Sequence, residues 1–163
     1  MMSKKMDIIE LLNENSRLTD KQISVITELS EDEVKDIIKN LEEEKVLLKY
    51  STLVNWEKTE KEVVRALIDV RVTPQQGQGF NAIAERIGQY DEVKSVSLIS
   101  GGYDLSVEVE GKTMKEIAIF VAERLAPIDG VLSTTTHFIL KRYKQDGIFF
   151  TDGPEDKRLV VTP

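Results

Sequence analysis

A chain of 163 residues suffices for one sizeable domain or two small ones, and 40% hydrophobic against 31% charged residues is the balance of an ordinary soluble globular protein. The absence of cysteine excludes a disulfide framework and thiolate metal sites, and a single histidine, His137, excludes a multi-histidine zinc site within one subunit. A formal charge of −7 weighs against nucleic-acid binding without excluding it, because phosphate contacts need only a local basic strip.

No apolar run approaches the roughly 18 residues of a membrane helix, and the first residues lack the apolar core of a signal peptide. The expectation is a cytoplasmic protein with no membrane partner. In chain order, Met6, Ile8, Ile9, Leu11 and Leu12 predict a short first helix with Ile8, Leu11 and Leu12 on one face. Thr19, with Gln22 three residues on, forms a capping-box pattern for a second helix whose buried stripe is Ile23 and Ile26. Ser30 and Glu33 repeat that pattern, with Glu31, Asp32 and Glu33 in the first turn where the helix dipole favours acids. Val34, Ile37, Ile38, Leu41 and Val46 supply the apolar face of this longer third helix. Three such helices with a short turn before the third are the helix-turn-helix arrangement. Residues 46–50 and 51–56 are two short β-prone runs, read as a wing or a linker strand, and the charged bridge 58–62 marks a domain boundary.

Beyond the bridge, residues 63–72 predict a strand stopped by Thr73-Pro74, with Ala66, Ile68, Val70 and Val72 on one face and Arg65, Asp69 and Arg71 opposite. Phe80, Ile83, Ala84 and Ile87 predict a helix from Gly79 to Tyr90. Residues 93–98 and 105–109 alternate on either side of Ser100-Gly101-Gly102-Tyr103-Asp104, a β-hairpin. Its adjacent glycines permit positive φ and close approach, so the turn either only closes the sheet or also binds something. Met114, Ile117, Ala118, Val121 and Leu125 predict a helix broken by Pro127, and residues 131–143 a final strand. The order β-α-β-β-α-β folds, through right-handed crossovers, into one antiparallel sheet with both helices on one face. The fold class is therefore α+β, an N-terminal winged helix-turn-helix followed by a ferredoxin-like βαββαβ sandwich. Val70, Leu98 and Val107 suggest apolar character on both sheet faces, so that a second subunit would cover the bare one. The tail from Gln145, with Phe149-Phe150 and residues 159–161 on either side of Asp152-Gly153-Pro154, offers apolar patches for an oligomer interface.

No set of nucleophile, base and orienting acid is visible, so no enzyme is expected, nor any metal or cofactor. His137, inside a strand run beside Thr134, Thr135 and Thr136, reads as a partly buried structural histidine. Gly77-Gln78-Gly79 before a helix hints at anion binding, but the phosphate-binding lysine motif and the third glycine of a dinucleotide fingerprint are missing, which favours a plain loop.

Leu29-Ser30 opening the third helix, Leu41-Glu42-Glu43-Glu44-Lys45-Val46 closing it, and Gly101-Gly102-Tyr103-Asp104 within a β-α-β-β-α-β domain together resemble the Lrp/AsnC transcription regulators. The resemblance implies a DNA-binding domain at 1–57, a linker at 58–62, a ligand-sensing and oligomerisation domain at 63–144 and a tail at 145–163. It also implies double-stranded DNA as partner, a homodimer with sheets packed face to face, octamers built from it, and a small effector, commonly an amino acid, near the hairpin turn. Gly101, Gly102, Tyr103 and Asp104 match the effector loop, and Thr134, Thr135 and Thr136 the final-strand segment facing it. Glycine amides would receive a carboxylate, Asp104 an α-ammonium group, and threonine hydroxyls would add donors. The departure is the third helix, where family members carry Ser, Thr and Arg but this chain reads Glu31-Asp32-Glu33-Val34-Lys35-Asp36. Contacts to DNA are left to Lys21, Gln22, Ser30, Lys35, Lys39, Asn40 and Lys49. The alternative is an acidic helical module that binds a protein instead of DNA.

Overall fold

The computed structural model describes residues 2–73 and 79–150. Gly77 and Gln78 of the glycine loop, and the tail residues 152–154 and 159–161, lie outside the described residues. The chain divides into two compact units, the first ending at Val54 and the second beginning at Asn55.

The first unit holds three helices, α1 (Met2–Glu14), α2 (Asp20–Thr27) and α3 (Glu31–Glu43). Both capping boxes form. Thr19 N–H donates to Gln22 Oε1 at 2.9 Å, and Ser30 N–H and Oγ–H donate to Glu33 Oε2 at 2.8 and 2.7 Å, satisfying donors that a helix start leaves open. The turn before α3 places Glu28 in the left-handed region (φ 57) and lets Leu29 N–H donate to the Ser24 carbonyl at 3.2 Å. Ile8, Leu12, Ile23, Val34 and Leu41 make the core.

Ile26, expected in that core, is 56% exposed. Ser24 and Thr27 take the inward positions because their hydroxyls donate to the Lys21 and Ile23 carbonyls (2.8 and 2.7 Å) and so lose their polarity to the helix itself. Val46 is likewise outside α3 and half exposed; its N–H and that of Leu47 both donate to the Leu41 carbonyl, wrapping the helix end. The expected wing does not form: residues 46–55 contain no strand, and Trp56–Lys58 is a 3₁₀ turn. The two β-prone runs adjoin at Tyr50-Ser51 without a residue suited to reversing the chain, so neither acquires a partner.

The second unit runs β1 (Val64–Val72), α4 (Gly79–Gly88), β2 (Val93–Leu98), β3 (Leu105–Gly111), α5 (Met114–Phe120) and β4 (Val131–Phe138), and ends in a two-stranded hairpin, β5 (Lys144–Gln145) with β6 (Ile148–Phe149). α5 continues as a π-helical turn over Val121–Leu125. The first four strands form one antiparallel sheet in the order β2-β3-β1-β4, an α+β fold. Ala66, Ile68 and Val70 lie opposite Val109, Val107 and Leu105, and this face is buried under Ile83 and Ile87 of α4 and Ile117 and Phe120 of α5.

The other face corrects an expectation. Val70, Leu98 and Val107 all fall on the helix-covered side, since Val70 and Leu98 both lie opposite Leu105 and Val107 lies opposite Ile68. Period-two alternation then sends the intervening residues to the open face, and these are Arg65, Leu67, Asp69 and Arg71 of β1, Ser106, Glu108 and Glu110 of β3, and Ser133, Thr135 and His137 of β4. Only Leu67 is a large apolar residue among them. The face is laced by pairs instead: Arg65–Glu110 at 3.2 Å, Arg142–Glu108 at 3.2 Å and His137–Asp69 at 3.1 Å.

Candidate functional site

The loop between β2 and β3 is closed by Ile99 N–H donating to the Asp104 carbonyl (2.9 Å) and tied to β1 by Asp104 N–H donating to the Val70 carbonyl (3.1 Å). Asp104 Oδ2 accepts from Val72 N–H at 2.9 Å, beside the point where the β1–β4 register shifts between Arg71 and Val72. The carboxylate therefore caps a β1 donor that lies beyond the last β1–β3 pair, Val70 with Leu105. Neither Gly101 nor Gly102 has a positive φ, and a Cβ added to either would meet nothing within 4 Å. Local geometry does not demand glycine here; what the two residues leave is open space.

Tyr103 leans over the open sheet face, its hydroxyl 2.8 Å from Thr135 Oγ1. Arg71 Nη2 donates to the Gly102 carbonyl at 2.7 Å, and the guanidinium carbon stands 5.6 Å from the Tyr103 ring centre. Gly102, Tyr103 and Thr135 are thus brought together. Thr134 and Thr136 are not, because they lie opposite Val70 and Ile68 and turn to the helix side. His137, read from sequence as partly buried, has a side chain 55% exposed and bonded to Asp69; β4 is the outer strand and carries it on the uncovered face. Arg71, Asp69 and His137 are not among the site residues that the sequence predicts. The alternation of β1 already placed Arg71 and Asp69 together, and only the β1–β4 register, which pairs Asp69 with Thr135, was missing.

In the first unit, Lys21, Gln22, Ser30, Lys35, Lys39, Asn40 and Lys49 are all exposed. Gln22 and Ser30 are engaged in the capping boxes. Lys35 and Lys39 stand one turn apart on α3, but Asp32 lies 3.8 Å from the first and Glu43 3.9 Å from the second. The Ser30 N–H and then its hydroxyl hold the Glu33 carboxyl below its ordinary range, so the start of α3 keeps its negative charge.

A second, shallow groove lies at the opposite end of β1, lined by Trp56, Glu57, Lys61, Val64 and Lys112, with the Lys61 ammonium 4.6 Å from the Trp56 ring centre. Among the described residues no helix is long and apolar enough to cross a membrane, and no cluster of three or more His, Cys, Asp or Glu could hold a metal ion.

Residues 65–149 match the family model of the Lrp/AsnC ligand binding domain. The chain is 49% identical, over 100% of its own length and 99% of the relative's, to the uncharacterized HTH-type transcriptional regulator YugG of Bacillus subtilis (strain 168). Among solved structures, E. coli AsnC superimposes with a TM-score of 0.68 at 15% identity, covering 90% of this chain and 96% of that one. The transcriptional regulator NMB0573 of Neisseria meningitidis, solved as an L-Met complex, gives 0.68 at 23% identity over 89% and 94%. The structural likenesses agree on the fold, and the family match together with an end-to-end relative establishes that the chain belongs to the Lrp/AsnC family of transcriptional regulators.

Proposed function

We propose that the chain is a DNA-binding transcriptional regulator whose second unit binds a small effector of the amino-acid class and mediates assembly into a homodimer and, from it, an octamer. In this reading 1–57 is a helix-turn-helix module without a formed wing, 58–62 the linker, 63–144 a ferredoxin-like sensing domain, 145–163 a tail, and the site of action the cytoplasm. The carrying observation is the end-to-end match to an HTH-type regulator, which joins a three-helix unit to the sensing domain in one alignment. The L-Met of the Neisseria regulator supports an amino-acid effector. Lys35, Lys39 and Asn40 would meet DNA from α3, with Lys21 and Lys49 at its sides. Carboxylates stand beside both helix lysines, so binding is expected to be weak, and its fall with salt to count how many phosphates are neutralised. Fluorescence anisotropy with DNA from upstream of its own gene, across a salt series, tests this; equal affinity for random DNA at every salt would remove operator recognition.

A second reading is favoured by the exposed acids at the start of α3, Glu31, Asp32 and Asp36: the module binds a protein instead. The double change Glu31→Lys with Asp36→Lys separates the two. It should raise DNA affinity if α3 faces phosphates, and leave it unchanged if α3 serves a protein partner.

A further inference from the structure

We infer that Arg71 sets the ligand chemistry of the loop after β2, taking the carboxylate of the effector, and that Asp104 is a structural residue of the same loop. The inference rests on the effector reading above and names the group recognised. Asp104 is committed to the chain: its N–H donates to Val70, its carbonyl accepts from Ile99 and its Oδ2 accepts from Val72 N–H. A carboxylate so placed holds the loop base through Oδ2, which gives Asp104 a structural role whatever ligand binds.

Arg71 is in the opposite situation. The other two arginines at the open sheet face are each neutralised by an acid, Arg65 by Glu110 and Arg142 by Glu108. Among the described residues no carboxylate forms an ion pair with Arg71, which is exposed. Its guanidinium is oriented nonetheless: the Gly102 carbonyl takes one of its five donors, and the Tyr103 ring, itself held by Thr135, flanks it. Beside it Gly101 and Gly102 are exposed, and among the described residues a Cβ added to either would meet nothing within 4 Å. An oriented guanidinium without an ion pair among the described residues, beside open space at Gly101 and Gly102, suits a planar anion, and a carboxylate matches its paired donors.

The test is titration calorimetry of the full-length protein with a panel of L-amino acids, followed by the amide of whichever binds. Replacing the carboxylate by an amide should weaken binding to the unaltered protein roughly 10- to 100-fold, as loss of a hydrogen-bonded charge pair does. Arg71→Gln should weaken binding of the acid by a similar factor and no longer distinguish acid from amide, with an unchanged thermal midpoint. Asp104→Asn should keep the distinction, since the amide oxygen still accepts from Val72. An Arg71→Gln protein that retains the acid-over-amide preference overturns the inference while leaving the effector reading standing. So does one that loses oligomer mass but not amino-acid affinity, which would assign Arg71 to a subunit contact. If no amino acid binds the unaltered protein, the effector reading itself fails and the inference falls with it.

Discussion

Two hydroxyl groups of the first unit, those of Ser30 and Tyr50, meet carboxylates at the two ends of α3 and make its stability depend on pH in opposite directions. The Glu33 carboxyl is held below its usual range by Ser30. Its ionised form is favoured by folding, so the contribution is complete above the ordinary glutamate value and is lost as pH falls through the depressed one. Ser30→Ala removes the cap and is expected to lower unfolding stability by about 1 kcal/mol, measured by urea denaturation. Tyr50 donates to Glu42 Oε1 at 2.9 Å, and desolvation first, then that bond, push its phenol up to about 12. Here the neutral form is favoured, so the contribution is intact below the ordinary value of 10.0 and disappears as pH rises from there toward about 12. An ultraviolet titration should show a late-ionising tyrosine, and Tyr50→Phe should remove that step; a late step that survives in Tyr50→Phe, or is absent from the unaltered protein, would mean that the bond to Glu42 is not kept in solution. In the second unit, Asp104→Ala leaves the Val72 N–H without its acceptor and is expected to cost roughly 1–3 kcal/mol, with Asp104→Asn costing less. Denaturant unfolding of the two variants side by side checks the order.

At the scale of elements, the legible features were those written in short-range chemistry. The capping boxes at Thr19 and Ser30 and the alternation of β1 depend on residues a few positions apart, and the structure keeps them. Features decided by a distant partner were misread. Ile26 points inward by apolarity alone, yet Thr27 is the buried residue, its hydroxyl bonded to the Ile23 carbonyl. The supposed wing had β-prone residues but nothing to pair with. The hairpin β5–β6 went unread although Asp146-Gly147 is a strong turn signal; both residues adopt positive φ (48 and 80), as a tight two-residue turn requires. The site was half visible: the loop stood out as glycines, whereas Arg71 and Asp69 became neighbours of Thr135 only through the β1–β4 register. The face assignment itself can be tested on adjacent residues of β1. Ile68 is fully buried and Leu67 is 39% exposed on the polar face, so Ile68→Ala should cost about 2–5 kcal/mol and Leu67→Ala well under half as much. Equal losses would mean that both faces are covered.

For the molecule as a whole, the polar face changes what assembly must be made of. A sheet packed against its twin through this face would be joined by polar side chains, among them the charged Arg65, Glu110, Glu108, Arg142 and Asp69, whose attractions salt screens over about 10 Å at 0.1 M and about 3 Å at 1 M. Sedimentation velocity is therefore expected to show the proposed homodimer giving way to monomer as sodium chloride rises. A mass indifferent to salt would place the contact on another surface, for which the exposed Leu98, Leu132, Leu140, Ile148 and Phe149 are apolar candidates.

The uncovered side of the sheet has one more consequence. Because most of its polar groups already answer one another within a single chain, and Leu67 is the one large apolar residue among the strand residues named on it, this face gives a newly made protomer little that a companion must cover. If the proposed homodimer pairs through this face, folding and pairing are separate events, and protomers are expected to trade places at equilibrium. Mixing tagged and untagged protein should produce hybrid particles without any denaturation step, and a cell holding two closely related regulators of this kind would contain mixed assemblies in proportion to their abundance.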